Sequence, residues 1–502
     1  MDQSPVLDIQ ALASFRSFSP TVGVCCLALS SLLGPKVSFP HTEPYTTSVH
    51  SYFSQQNAAL RPLCVVSPAD TGEVATAIAS IAQTSTLLNI ADKSQCHFAV
   101  RSGGHTSLVG GASNIQNGIT IDLSALNTIR LRDDRTTLSV GVGATWGEVY
   151  AYLDPLNLSV TGGRAAQVGV GGLTLGGGIS YHSPRYGWTC DTVSEFEIVL
   201  SNGTIVHANG EEHPDLAIAL RGGSGNFGIV TSVNLRTFEQ GLVWGGQVYY
   251  PLDTIDDQLR AFESFNVAEG YNEYASLITS FGYAGGNGAG VVNSIVYTKE
   301  EEYPDVFGEF FEMRSAYSTM RIAGMHDIST EQGSFQPNGN RQLNVVITHG
   351  STANMLNATY LRWKSSLPVI EDVRGIVWSI SLEPLPPAIY ARAPTKNAFG
   401  LLDTTGPQVV TLLSVSWEDE ADDERVRNTA RALFEGIEED AHRLDSYEPF
   451  LYLNYAADWQ DPISSYGKKS IEMLSKVRRD VDPNGVFREG MPGGFKIPLE
   501  RP

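Results

Sequence analysis

Two glycine clusters and a pair of tyrosines hold the chemistry that can be read directly from this chain. The first cluster is Arg101-Ser102-Gly103-Gly104-His105, followed by Thr106, and it comes directly after the strand-like run Phe98 to Val100. Glycines let a backbone approach an anion closely, and successive N–H groups can form a nest for phosphate oxygens. The plain alternative is a tight turn with a surface histidine. The second cluster runs from Gly162 to Gly178, where eight of seventeen positions are glycine. Valines and leucines are interleaved with them, which a flexible linker lacks. That mixture suits a buried loop whose backbone lies against something flat and polar. Near the C-terminus, Tyr452-Leu453-Asn454-Tyr455 offers two phenols. A free tyrosine titrates near 10, so a tyrosine base needs a lowered pKa or a hydrogen-bonded partner. Outside a site, the same run reads as an aromatic core strand.

Other signals work as decoys or exclusions. Gly223-Ser-Gly225-Asn-Phe-Gly228 spells GxGxxG. A dinucleotide-binding turn of that kind follows a strand and opens a helix. Here a helical run, Asp215 to Leu220, comes first and a β run, Ile229 to Leu235, follows. The reversed order argues against that fold. The chain has no GxxxxGK[ST], HExxH or GxSxG, so P-loop, zincin and α/β-hydrolase chemistry lack their usual signals.

The elements that position these residues alternate. Leu63 to Val66 reads as a strand, and Pro68 and Asp70 open a helix with Val74, Ala77, Ile78 and Ile81 on one buried face. Ile119 to Leu123 alternates like a strand, and Phe196 to Val206 reads as a hairpin around Asn202-Gly203. Residues 241 to about 445 have fewer glycine clusters and more aromatic and charged residues, with strand-like runs at Leu343 to Thr348 and Val409 to Val415. After Tyr447 comes an apolar, aromatic stretch, then a helix around Ile471, Leu474 and Val477 that stops at Asp482-Pro483. Mixed strands and helices indicate an α+β or α/β domain rather than a bundle.

The 502 residues include 34 basic and 55 acidic side chains, a net charge of −21. Such a chain makes a poor nucleic-acid binder, because phosphate backbones need Lys and Arg patches. No apolar run reaches eighteen residues, so no membrane span is expected. Val22 to Leu33 is the longest apolar stretch. Asp2 and Asp8 precede it with only Arg16 as a base, which reads better as a buried helix than as a secretion signal. A cytoplasmic location is therefore favoured, with secretion as the alternative. The five cysteines have no metal spacing, and no metal site is expected. One disulfide, from Cys25 or Cys26 to Cys64, is compatible with the sequence.

VRSGGH, ITIDLS, GATWGEVYAYL, VGVGGLTLGGG, SPRYGWTCD and LRGGSGNFGIVTSVNL occur in the order seen in flavin-linked oxidoreductases. The chain resembles the berberine-bridge-enzyme-like members of the vanillyl-alcohol-oxidase/p-cresol-methylhydroxylase superfamily. The Tyr452–Tyr455 run and Asp482-Pro-Asn-Gly-Val-Phe487 look like that family's tail, and Gly162-Gly163-Arg164 with the closing Pro492 to Lys496 looks most like its fungal secondary-metabolism members. The resemblance covers nearly the whole chain.

It implies an α+β fold. A PCMH-type FAD-binding domain would span residues 1–240, with its core at about 60–240. Residues 241–445 would form a substrate domain with a mainly antiparallel sheet covered by helices, and 446–502 a tail completing the FAD domain. The resemblance implies that the loop of Arg101, Ser102, Gly103, Gly104, His105 and Thr106 wraps the FAD pyrophosphate, with His105 bonded to the flavin 8α-methyl. Val168, Gly169, Gly172, Leu173, Gly176 and Gly177 would line the flavin. Ile229 would hold the adenine end, and Asn454 would sit near the isoalloxazine. Tyr455 matches a frequent catalytic base, with Tyr452 as the competing candidate.

The sequence departs from many relatives at Ala165, where they carry a cysteine that links the flavin a second time. A single covalent link is therefore expected, and oligosaccharide oxidases with both links fit less well. Partners would be a small-molecule substrate and O2, acting on a monomer. The aromatics of 241–445 suggest a hydrophobic metabolite. A carbohydrate oxidase, or a flavin-retaining protein with little turnover, is the alternative.

Overall fold

The computed structural model describes residues 20–92, 96–392, 397–401 and 404–498. Asp2, Asp8 and Arg16, which bear on a leader, lie outside these residues. Among the described residues the chain is α+β and builds three larger sheets and one two-stranded pair, with two large hydrophobic cores.

The first sheet has the order β1-β2-β4-β3, with β1 at Val37–Ser38, β2 at Cys64–Val66, β3 at Phe98–Arg101 and β4 at Ile119–Asp122. Both β2 and β3 run parallel to β4. Parallel neighbours need a long crossover, and helix Thr71–Asp92 supplies it between β2 and β3. Val74, Ala77, Ile78 and Ile81 are its buried stripe, at the spacing read from sequence. Helix Pro20–Leu33 packs on it. Two disulfides anchor that helix, Cys26–Cys64 and Cys25–Cys96. The second corrects the sequence expectation of one bridge ending at Cys64. The adjacent Cys25 reaches the residues leading into β3 instead.

The second sheet is antiparallel, with order β5-β6-β10-β8-β9: β5 at Ile129–Leu131, β6 at Thr137–Gly141, β8 at Val193–Val199, β9 at Ile205–Asn209 and β10 at Ile229–Arg236. A short pair, β7 (Leu158–Ser159) with β11 (Phe238–Glu239), lies beside it. Gly203 closes the β8–β9 hairpin at φ +82°, the left-handed backbone that this turn requires. The GxGxxG turn falls between helix Pro214–Leu220 and β10, the reverse of a dinucleotide-binding order.

The third sheet holds β12 (Val243–Pro251), β13 (Ala275–Ala284), β14 (Gly288–Tyr297), β15 (Tyr317–Ser318), β16 (Arg321–Ala323), β17 (Arg341–Gly350), β18 (Val377–Leu385), β19 (Gln408–Trp417) and β20 (Tyr447–Glu448). Its path is β15-β12-β14-β13-β18-β19-β17-β20, with β16 also on β12, and every pairing is antiparallel. Side chains alternate across a strand. On β18, Trp378, Ile380 and Leu382 enter the second core, while Ser379, Ser381 and Glu383 border a cavity on the opposite face. Helices Ile255–Phe265, Ala353–Ile370 and Asp423–Arg443 contribute their apolar stripes to that core.

This arrangement corrects the expectation that the aromatics of the middle region face a hydrophobic substrate. Trp244, Phe281, Trp363, Trp378 and Trp417 are buried in the second core. Aromatic rings remove the most apolar area from water, so they go to the helix-covered face. The cavity face is left with serines, amides, Glu383 and smaller apolar side chains such as Ile278, Val292 and Leu412.

The tail returns to the first core. Helix Lys468–Val481 packs on helix Pro214–Leu220. Asp482 then accepts hydrogen bonds from the Val486 and Phe487 N–H groups, which turns the chain where the sequence placed a stop. Among the described residues, no helix is long and apolar enough to cross a membrane.

Candidate active site

The two glycine clusters meet backbone to backbone. Ser102 Oγ donates to the Val142 carbonyl at 2.5 Å and accepts from Gly171 N–H at 3.2 Å. Beside this link, a Cβ on Gly103 would lie 2.6 Å from Gly169 Cα, so neither loop tolerates a side chain at the crossing. His105 follows, its ring stacked on Phe53 with centroids 3.8 Å apart. The residue is half-buried because its edge borders the cavity, but Nε2 is out of water and has no hydrogen-bond partner. Burial pushes the His105 pKa down to about 4, so the imidazole is neutral at ordinary pH.

A second wall comes from the tail. Tyr452 is buried, and its hydroxyl accepts from the Gly178 and Ile179 N–H groups at 3.0 and 3.1 Å and from Asn454 Nδ2 at 2.9 Å. Asn454 Nδ2 also donates to the Leu173 carbonyl at 3.0 Å. Burial pushes the Tyr452 pKa up to about 12. Three donors converge on this oxygen, which makes Tyr452 a clamp on the second glycine loop.

Tyr455 differs. Arg164 Nη2 donates to its hydroxyl at 2.6 Å, and that hydroxyl donates to Glu383 Oε1 at 3.0 Å. Arg164 Nη2 also reaches Glu383 Oε2 at 2.7 Å, with both ion-pair side chains buried. Burial raises the Tyr455 pKa well above its ordinary value, Arg164 pulls it back, and Glu383 pushes it further. The phenol is therefore protonated at rest and hydrogen-bonded to a carboxylate. The sequence left open whether a tyrosine base would have a lowered pKa or a partner. Here it has the partner.

Both walls border one cavity of about 460 Å³. Ser102, Gly103, Gly104, His105, Thr106, Val168, Gly169, Gly172, Leu173, Ile229, Tyr452, Asn454 and Tyr455 all line it, as does Ala165. Three expected residues do not. The Arg101 guanidinium pairs with Asp122 at 3.3 Å, donates to the Ser48 carbonyl and Ser51 Oγ, and lies over the Tyr52 ring. It braces the loop from behind. Gly176 packs against Asn454 Oδ1. Gly177, at φ +114°, packs against Phe399. Those two glycines serve tight packing between loop and tail.

The sequence reading missed Arg164, Glu383 and the part played by the GxGxxG turn. Ser224 and Gly225 line the far end of the cavity with Met491 and Lys496 of the tail. Lys496 Nζ donates to the Phe487 carbonyl, and burial pushes its pKa down to about 8. Two signals were available. Arg164 is a charge inside a glycine-rich apolar run, and Glu383 shares the polar phase of β18 with Ser379 and Ser381.

The cavity suits a flat dinucleotide. It is long and enclosed by backbone at the glycine loops. A Cβ on Gly172 would meet nothing within 4 Å, so that glycine faces open space, and His105 offers an unpaired nitrogen. A family model described as an FAD binding domain matches residues 62–209. An FAD-dependent monooxygenase of Aspergillus calidoustus, drtC, is 35% identical over 95% of this chain and 90% of its own length.

The chain belongs to the same family of FAD-dependent oxidoreductases.

A protein of Diaporthe leptostromiformis named oligopeptidase PhomG' is 44% identical over 92% of this chain, which spans only 36% of that protein. The solved structure of Physcomitrella patens BBE-like 1 superposes on this FAD-linked oxidoreductase with a TM-score of 0.76. It covers 95% of this chain and 100% of its own at 18% identity, a likeness of fold.

Proposed function

We propose that this enzyme oxidises a small-molecule alcohol, or a similar heteroatom-bearing carbon, with FAD held by a single covalent bond at His105. The observation that carries the reading is the Tyr455 hydroxyl, set between Arg164 and Glu383 on the wall of the cavity that His105 also lines. Bound FAD would supply a two-electron acceptor for the hydride and pass the electrons to O2.

The chain's own residues handle the proton. The substrate hydroxyl gives its proton to the Tyr455 oxygen as the phenol proton moves to Glu383 Oε1. The substrate carbon becomes a carbonyl carbon. Arg164 keeps the phenol oxygen rich in hydrogen-bond donation throughout and fixes its position. The neutral His105 imidazole has a free nitrogen lone pair, the form that a bond to the flavin 8α-methyl requires. Ala165 offers no thiol, which supports one link rather than two. Ser102 to Thr106 and Val168 to Leu173 would hold the flavin and pyrophosphate, and Ile229 the adenine end.

The test is anaerobic reduction of the bound flavin by candidate alcohols. Tyr455→Phe should load the same amount of flavin and reduce it at least ~100-fold more slowly, the usual scale of a general base. Unchanged reduction removes the base assignment. A second reading is favoured by the name of the Aspergillus relative, a monooxygenase. Turnover under ¹⁸O₂ separates the two. An oxidase releases the label as hydrogen peroxide, and a monooxygenase leaves one labelled atom in the product.

The two disulfides support the secretory alternative over the cytoplasmic one, because such bonds persist in oxidising compartments.

A further inference from the structure

The sheet face under the cavity has a pattern of its own. Register places Ser280 of β13 opposite Ser381 of β18, with Val292 of β14 and Leu412 of β19 on the outer sides. All four line the cavity. The row thus reads apolar, hydroxyl, hydroxyl, apolar across four strands. Glu383 lies two residues along β18 on the same face, about 7 Å away at ~3.4 Å per residue.

The two serine hydroxyls are 2.8 Å apart and share one hydrogen. Each hydroxyl carries one hydrogen and two acceptor sites. After the shared bond the pair retains one hydrogen and three acceptor sites, so it can receive either a hydroxyl or a carbonyl oxygen. The charges at this end, Arg164 and Glu383, neutralise each other. A carboxylate or ammonium ligand would lose its water here without gaining a counter-charge. A sugar would bring hydroxyls to every edge and press some of them against Val292 and Leu412. A hydrocarbon ring bearing one oxygen satisfies the whole row.

We propose that the substrate is an uncharged ring system, apolar where it crosses Val292 and Leu412, with a second hydroxyl or carbonyl oxygen about 7 Å from its reacting carbon, seated on the Ser280–Ser381 pair. This rests on the reading that the reacting carbon lies beside Tyr455 and Glu383.

The test uses ligands that are already oxidised, so that binding is measured without turnover. Calorimetry on the FAD-loaded enzyme at pH 6.5 compares 2-tetralone with 6-hydroxy-2-tetralone, with cellobiose as the sugar probe. One added hydrogen bond of about 1 kcal/mol corresponds to roughly fivefold in affinity. The hydroxylated ketone should therefore bind about fivefold tighter. That advantage should fall below twofold in Ser280→Ala/Ser381→Ala and to an intermediate value in Ser381→Ala, each checked for wild-type flavin content. Equal affinities in the wild type, no binding of either ketone, an advantage that survives the double variant, or tighter binding of cellobiose would each overturn the proposal. If the ketones behave as expected while no alcohol reduces the flavin, the substrate class stands and the oxidase reading falls.

Discussion

The Tyr455 hydroxyl donates to Glu383 Oε1 at 3.0 Å across 72 residues of sequence, joining the returning tail to the C-terminal end of β18. Arg164, from the second glycine loop, bonds to both. One hydrogen-bonded cluster thus holds the flavin loop, the sheet and the tail in register. The Tyr455 hydroxyl is held where three separate pieces of chain must all be correctly folded.

Glu383→Gln keeps the shape of the side chain and removes its charge. Two consequences follow. The proton from Tyr455 loses its acceptor, so anaerobic flavin reduction should slow by ~10²- to 10⁴-fold. Arg164 also becomes a buried charge without its partner, which costs about 3 kcal/mol or more. Tyr455→Phe leaves the ion pair intact, so it should show the slow reduction without the large fall in melting temperature. Comparing the two melts separates chemistry from stability.

His105→Ala should abolish covalent attachment. Acid-precipitated wild-type protein should give a yellow pellet, and the variant a colourless one with free FAD in the supernatant. Because Ala165 cannot form a second link, no residual colour should remain. A yellow variant pellet would place the bond elsewhere.

Gly103 and Gly172 should fail in different ways. A Cβ at residue 103 strikes the backbone of Gly169, so Gly103→Ala should cost about 1–3 kcal/mol through overpacking and lower flavin content as well. Gly172→Ala meets no protein atom within 4 Å. In a His105→Ala background stripped of flavin it should melt like its parent, and with His105 present it should still load less FAD. Normal loading by Gly172→Ala would move the cofactor away from this loop.

Much of this site is legible in the sequence, and its gaps have a physical pattern. His105 and the two glycine loops stand out because close backbone approach demands glycine over several adjacent positions. The helix from Thr71 is legible because Val74, Ala77, Ile78 and Ile81 keep one face. Arg164 and Glu383 are 219 residues apart, and only the fold brings them together. Gly176 and Gly177 look like the cavity glycines beside them, but the packing of Asn454 and Phe399 decides their role. The aromatics of the middle region were misjudged because composition does not say which face of a sheet the helices will cover.

The disulfides should contribute substantially to stability. Cys26–Cys64 and Cys25–Cys96 close loops with sequence separations of 38 and 71 residues. Chain-entropy arguments give about 4 kcal/mol for loops of that size. Cys25→Ser/Cys96→Ser should melt several degrees lower, and reductant should lower the wild-type melting temperature without affecting a variant that lacks both bridges. Five reactive thiols in protein unfolded in denaturant without reductant would show that the bridges do not form.

Acid should destabilise the protein through histidines that never reach the cavity. His182 and His349 are buried, and burial lowers their pKa values to about 3 and about 4; Arg185 adds to the shift at His182. Their unfolded value is near 6.5, so between that pH and the folded values the unfolded chain binds more protons. Stability from these groups is complete above pH 6.5 and is lost as pH falls toward 4 and then 3. These shifts correspond to about 3–5 kcal/mol for each histidine. Urea midpoints should therefore be flat from pH 8 to 7 and fall steadily below 6.5. In His349→Gln the fall should be shallower, because one of the buried histidines is gone. An unchanged slope in that variant would assign the acid sensitivity to the carboxylates instead.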